Sequence, residues 1–257
     1  MLLRSLFSAL LMYSRIPAPQ VEWKEENRRY ALCFFPLIGA VIGGLLLLWR
    51  MFCTRFQCGQ MLFAAVAVLL PVLITGGIHL DGFCDVTDAR ASYADKEKRL
   101  KIMSDPHIGS FAVIRVCLYL ILQTALFTQI SDIRNTTVIA CGYVLSRAFS
   151  GLSAVTFRCA KKNGTLQDFV KPSHRSVTVG MVSVFAAAAF AVMIYAGYAQ
   201  GCAALGSAVL CFLYYRYIAY KDFGGTTGDL CGWFLQLSEI AMLAAAVLTG
   251  ILTEGLT

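Results

Sequence analysis

The chain has 257 residues, 58% of them hydrophobic and only 14% charged, with a mean hydropathy of +0.67 and a formal net charge of +7. Soluble domains carry about 25% charged residues, so the composition excludes an ordinary soluble protein and marks an integral membrane protein in a lipid bilayer. No basic loop is interleaved with aromatic residues in the manner of a stacking platform, which excludes nucleic acid as a partner.

Residues 1–19 begin with one basic residue and an apolar run, but Ser5, Ser8 and Tyr13 interrupt it and no clear cleavage site follows. A short helix lying at the interface is expected rather than a signal peptide. Seven apolar runs then approach the roughly 20 residues that cross a ~30 Å hydrocarbon core as a helix: 31–49, 60–80, 109–130, 137–157, 177–199, 202–219 and 230–251. In the first, Pro36 suits a helix start, and Gly39 with Gly43 forms a small-xxx-small face for close packing. Pro71 is expected to bend the second. Tyr214, Tyr215, Tyr217 and Tyr220 read as an interfacial belt. The ten cysteines read as apolar fillers with free thiols, Cys53 and Cys58 included. Without a linker, an internal repeat or a matched pair of broken helices, residues 1–257 read as one all-α, polytopic membrane domain.

Short cytoplasmic loops are rich in Lys and Arg. Alternating the seven spans puts most basic residues on one side, from Arg4 and Arg15 through Arg90–Lys101 and Arg158–Arg175 to Lys221, and leaves Arg50, Arg55 and Arg134 on the other. The N-terminus is therefore expected in the cytoplasm. Arg115 and Arg147 fall inside spans, as does Glu239; Arg147 lies 11 residues before Arg158 and Glu239 10 residues after Asp229. Arg147 and Glu239 both come about 15 Å below the same face at ~1.5 Å per residue, so an ion pair is expected between them, since lone charges are expensive there.

Four features capable of chemistry share the predicted cytoplasmic face. In GGIHLDGFCDVTDAR, residues 76–90, Asp81, Asp85 and Asp88 are spaced by four and three, one face of a helix. Oxygen ligands so placed suit Mg²⁺, which commonly bridges a carboxylate to substrate phosphates; solvated carboxylates in a first helical turn would look the same. His79 is either a phosphate donor or a structural histidine. In RLKIMSDPHIGSF, residues 99–111, Pro106 takes Asp105 out of a helix, so that Asp105 and His107 sit either in a loop over the site or at a simple break. The loop from Arg158 to Arg175 is basic. In DFGGTTGDLCG, residues 222–232, Gly224, Gly225 and Gly228 either bring amides to an anion at a helix start or form a turn capped by Asp229. No Lys follows, so this is not a P-loop.

Taken in order, FFPLIG at 34–39, GGIHLDGFCDVTDA at 76–89, KIMSDPHIGSF at 101–111, SRA at 146–148 and GGTTGDLCG at 224–232 resemble the cobalamin synthase family, the adenosylcobinamide-GDP ribazoletransferases, over nearly the whole chain. The resemblance implies a Mg²⁺-dependent enzyme in the cell inner membrane, working from the cytoplasmic side. It would transfer the cobinamide-phosphoryl moiety of adenosylcobinamide-GDP to α-ribazole or its 5′-phosphate and release GMP. It implies Asp81, Asp85 and Asp88 as metal ligands and Asp229 as a further ligand or base. Substrate contacts would come from His79, Gly82, Asp105, His107, Arg147, Gly224, Gly225, Thr227, Gly228 and Glu239. A homo-oligomer is left open. The chain departs from the family pattern at Asp105-Pro106-His107, where Asp-Ser-Arg is usual, at Ala89, where Gly is common, and at Gln236, often acidic. Two rival readings are a CDP-alcohol phosphotransferase, of whose signature only Asp85, Asp88, Ala89 and Arg90 echo a part, and a transporter, which would place its polar residues near the bilayer midplane.

Overall fold

The computed structural model describes residues 2–161 and 164–254; Lys162, in the basic loop, lies outside them. The described residues form twelve α-helices and no sheet: α1 Leu2–Tyr13, α2 Glu25–Arg28, α3 Phe35–Arg55, α4 Gln60–Thr75, α5 Ile78–Ala91, α6 Lys96–Ile102, α7 Ser110–Phe127, α8 Ile133–Thr156, α9 Thr165–Val170, α10 Arg175–Ala196, α11 Tyr198–Asp222 and α12 Gly228–Glu254. Six of the long helices, namely α3, α7, α8, α10, α11 and α12, are apolar enough to cross a membrane, and the bent pair α4–α5 makes a seventh if counted as one. The spans read from the sequence thus correspond to helices, with one correction.

That correction concerns 60–80. The run breaks at Gly76 and Gly77, whose φ values of 65° and 81° are both left-handed, and α5 leaves α4 at 93°. Glycine enters this region without the Cβ clash that other residues meet. Pro71, expected to make the bend, lies inside α4, which continues past it to Thr75.

The helix at the centre is α8, packed against α3, α10 and α12. Its apolar window is 78% buried against 22% for α7 and for α10, and it is among the least apolar of the spans because Ser146, Arg147, Ser150 and Ser153 face protein rather than lipid. Lipid is as apolar as a leucine side chain, so helices associate there through close packing and polar contacts. The Gly39/Gly43 face supplies the packing: a Cβ on Gly39 would lie 2.2 Å from the Tyr143 carbonyl oxygen, and one on Gly43 2.5 Å from that of Ala140. Gly201 likewise brings α11 close to the α10 backbone, where a Cβ would lie 2.8 Å from the Met193 carbonyl.

The Arg147–Glu239 ion pair is present. Nη1 of Arg147 lies 2.6 Å from Oε1 of Glu239, and Ser146 Oγ donates to the same oxygen at 2.9 Å. Both residues are buried, Arg147 completely, and they join α8 to α12. Two further assignments change. Tyr215 is not part of an interfacial belt but is wholly buried, its hydroxyl bonded to Thr226 Oγ1 and Ser153 Oγ. Arg50 is not a loop residue: it is buried in α3, where it donates to Thr136 Oγ1 and the Ile130 carbonyl with its guanidinium over the Phe63 ring. All ten cysteines are free.

Removing one partner of a buried ion pair strands the other, at a cost of about 3–5 kcal/mol. Thermal unfolding in detergent is expected to register a loss on that scale for Arg147→Met and a clear recovery when Glu239→Leu is added. Losses that merely sum in the double variant would show that the pair is not coupled.

Candidate active site

Side chains from all four chemistry-bearing segments meet at one rim of the bundle. The acidic helix α5 crosses the start of α12 so tightly that a Cβ on Gly82 would sit 2.8 Å from the Asp229 Cα, and one on Gly232 3.1 Å from the His79 Cα. Two glycines, one on each helix, therefore permit the crossing that sets Asp81 beside Asp229. Asp88 reaches the second segment, accepting the amides of Gly109 at 2.6 Å and Ala112 at 2.9 Å and so capping α7. The basic loop meets the second segment through Lys161 Nζ, which donates to Ser104 Oγ at 2.7 Å. It meets the glycine run through Arg158, whose Nη2 donates to the Gly224 carbonyl at 2.7 Å, and through a single parallel bridge between Cys159 and Thr226. Arg90 and Arg99 both pair with Asp222, fixing α5 and α6 against the end of α11.

Asp81 and Asp229 line one enclosed cavity of about 290 Å³ that also borders His79 and Gly228. Asp81 also lines an open groove of about 710 Å³ between the end of α1, the Gly76–Gly77 turn and α7, with Arg15 in its wall. Asp85 is half-buried on the same helix. Burial, and then the negative charge of Asp81, Asp229 and Asp88, push its carboxyl up to about 7. Asp81, Asp85 and Asp88 on α5, outside the spanning helices, and Asp229 at the start of α12 thus concentrate negative charge at the rim. His79 is buried, its ring edge-on to Phe35 at 5.8 Å and its Nε2 without a hydrogen-bond partner.

The remaining predicted residues have other surroundings. Asp105 and His107 are exposed and bond each other, Nδ1 to Oδ1 at 2.7 Å; the His107 amide, then its ring, hold the Asp105 carboxyl below its usual range. They form a turn before α7 and line neither cavity. Gly225 serves packing, since a Cβ there would lie 2.4 Å from the Arg158 carbonyl. Its amide is bonded to the Ala219 carbonyl and that of Thr226 to the Arg158 carbonyl, so the expected amide cradle narrows to the start of α12. There Thr227, not Asp229, is the cap, its Oγ1 accepting from the Leu230 amide at 3.2 Å, and Gly228 has open space around it. Gly224 adopts a left-handed φ of 77°.

The donor set is carboxylate oxygen, which is what Mg²⁺ prefers. Asp81, Asp85 and Asp88 do not form a closed cage: among the described residues no group of three His, Cys, Asp or Glu side chains is so assembled, and both oxygens of Asp88 are occupied by the α7 cap. A site of one or two carboxylates completed by substrate phosphates suits Mg²⁺ without such a cage. The residues therefore fit that ion.

Sequence reading passed over Arg15, Tyr13, Phe35 and Phe169, which line the cavity or the groove. The signals at hand were the RIP segment at 15–17 and FFPLIG at 34–39; Phe169 had none.

An all-helical membrane protein with an acidic site at one rim is the class that fold and site define. The family model described as cobalamin-5-phosphate synthase matches residues 5–247. A protein of Lachnoclostridium phytofermentans named adenosylcobinamide-GDP ribazoletransferase is 43% identical over 255 residues, 98% of this chain and 97% of its own. Namesakes from Pseudomonas fluorescens and Clostridium perfringens are 31% and 29% identical over 243 and 248 residues, covering 93% and 96% of this chain and 98% and 95% of theirs. No solved structure matches. The chain belongs to the cobalamin-5-phosphate synthase family and is an enzyme of cobalamin synthesis.

A methyl group on Gly109 would lie 2.7 Å from both Asp88 carboxylate oxygens. Gly109→Ala and Asp88→Ala are each expected to destabilise the protein by about 1–2 kcal/mol, the scale of a lost helix cap, read as a lower melting temperature in detergent. Unchanged melting in both variants would show that this cap does not hold α7.

Proposed function

We propose that the chain transfers the cobinamide-phosphoryl moiety of adenosylcobinamide-GDP to α-ribazole or its 5′-phosphate, with release of GMP, at the rim around Asp81. The observation that carries the reading is that Asp81 and Asp229, from helices far apart in sequence, share the wall of one enclosed cavity. The names of the relatives supply the two substrates.

In the transfer, a ribose hydroxyl oxygen of the acceptor forms a bond to the phosphorus bearing cobinamide, and the bond from that phosphorus to the GMP oxygen breaks. The hydroxyl proton passes to a carboxylate, a role we assign to Asp229 at the cavity wall. Mg²⁺, when bound, would neutralise charge on the diphosphate and align it. Asp81 and Asp85 are the residues we assign to hold it, while Asp88 fixes the helix that carries them by its bonds to α7. Arg15, in the open groove, is positioned to meet a phosphate oxygen. Gly82 and Gly232 act through geometry alone, since any side chain would part α5 from α12.

We also assign this rim to the cytoplasmic side of the cell inner membrane. Arg90, Arg99, Arg158 and Lys161 all make contacts at it, and Lys- and Arg-rich loops stay in the cytoplasm.

Detergent-purified protein given adenosylcobinamide-GDP, α-ribazole and Mg²⁺ is expected to release GMP and form the joined corrinoid, and to stop when EDTA replaces the metal. Asp81→Asn is expected to lower kcat by about 100-fold or more, the scale of removing a charge-stabilising group. Folded protein that forms no product with either form of ribazole would overturn the reading.

A further inference from the structure

We propose that the enclosed cavity beside Asp81 is the acceptor site, holding the flat two-ring base and the ribose of the benzimidazole-type nucleoside, while the bulky donor approaches Asp81 from the open groove. This rests on the transferase reading above.

Size separates the two spaces first. Ligand pockets typically measure ~300–1,000 Å³, and at about 290 Å³ the enclosed cavity is at the small end. That suits a nucleoside and is far too small for a corrin ring with its amide side chains. The groove measures about 710 Å³ and is open, so a large ring can lie across it without being enclosed. Met12, Ile78 and Asp81 line both spaces, and Asp81, the charged one of the three, marks the boundary across which acceptor and donor would meet.

The walls point the same way. Tyr13, Phe35 and Phe169 surround the cavity as one aromatic cluster, with ring centroids 4.4 Å apart for Tyr13–Phe35 and 5.4 Å for Tyr13–Phe169. Aromatic walls favour a flat aromatic guest through stacked and edge-on contacts. Polar side chains in the wall are those of Asp81, Asp229, His79, Ser150, Thr165 and Tyr13, and no described lining residue is Lys or Arg. A diphosphate would meet two carboxylates there and no cationic side chain in the wall, whereas ribose hydroxyls would find acceptors. The groove wall, by contrast, carries Arg15.

Phe169 belongs to α9, which Arg28 holds in place by donating to the Asp168 carbonyl at 2.7 Å. The basic loop between Arg158 and Arg175 thereby acquires a role, because its short helix forms part of the cavity wall through Thr165, Leu166 and Phe169.

The test is steady-state GMP release, with KM measured separately for α-ribazole and for adenosylcobinamide-GDP. Ala154, on α8 in the cavity wall, is the position at which to fill the space. Ala154→Phe is expected to raise the α-ribazole KM by about 10-fold or more, because lost binding of one partner appears as that partner's KM, and to leave the donor KM within about 2-fold. Phe169→Leu, a milder change, is expected to raise the α-ribazole KM alone. Arg15→Gln is expected to do the converse and raise the donor KM alone. Equilibrium dialysis of α-ribazole against each variant in EDTA, without donor, gives a reading that turnover does not affect. It is expected to show weaker binding to Ala154→Phe and Phe169→Leu and unchanged binding to Arg15→Gln. An unshifted α-ribazole KM and affinity in both cavity variants, or a rise in the donor KM instead, would overturn the placement. Absence of GMP release by the wild-type protein would overturn the transferase reading itself, a separate failure.

Discussion

Two consecutive left-handed glycines, Gly76 and Gly77, are the constraint from which the site follows. A helix continuing straight from α4 would carry Asp81, Asp85 and Asp88 along the path of a spanning segment, where carboxylates are costly unless paired or facing water. The break turns α5 through 93° instead, so that its polar sequence runs along the rim. Two side chains depend on that turn. Arg15 lies against Gly76, where a Cβ would come within 2.5 Å of its Nε, and Asp81 is delivered to the mouth of both spaces.

Burial of Phe83, Val86 and Ala89 against α11 and α12 holds α5 in place together with a set of polar and backbone contacts. Among the spanning helices, where apolar side chains gain little by leaving lipid for protein, approach distance and hydrogen bonding decide which helices pair. Gly82 and Gly232 bring α5 against α12, Asp88 ties α5 to α7, and Arg90 ties it to Asp222 at the end of α11. Deeper in the bundle, Arg147 and Glu239 lock α8 to α12. The acidic helix is thus held on three sides, which suits a site whose like charges repel one another. Burial together with neighbouring carboxylates already pushes the Asp85 carboxyl up, and a divalent cation is the simplest relief for such a cluster.

Much of this was legible in the residues. Helix length follows from apolar runs, so all but one of the spans emerged with correct identity. The Gly39/Gly43 face correctly signalled a close crossing, and equal depth below one face correctly paired Arg147 with Glu239. What escaped was conformational or long-range. Pro71 looked like the natural bend, yet a proline in a helix can be accommodated, whereas adjacent glycines leave the backbone free to take two left-handed steps. The glycines of GGTTGDLCG suggested an anion cradle, but Gly225 and Gly232 are small because backbone from other segments passes next to them. Tyr215 belonged by spacing to a surface belt, and only the fold turns it toward Thr226 and Ser153. The aromatic cavity draws Tyr13, Phe35 and Phe169 from three distant segments, an arrangement no local pattern encodes.

The most direct measurement is metal-dependent GMP release, alongside melting temperature, for Gly77→Asn, Gly77→Ala and Gly77→Val. A Cβ at Gly77 would meet nothing within 4 Å, so these changes bear on the left-handed backbone alone. Asn tolerates that region best among side-chain-bearing residues, and a β-branched residue tolerates it worst. Activity is expected to fall in the order Gly, Asn, Ala, Val. A valine variant as active and as stable as the wild type would contradict the claim that the glycine turn builds the site.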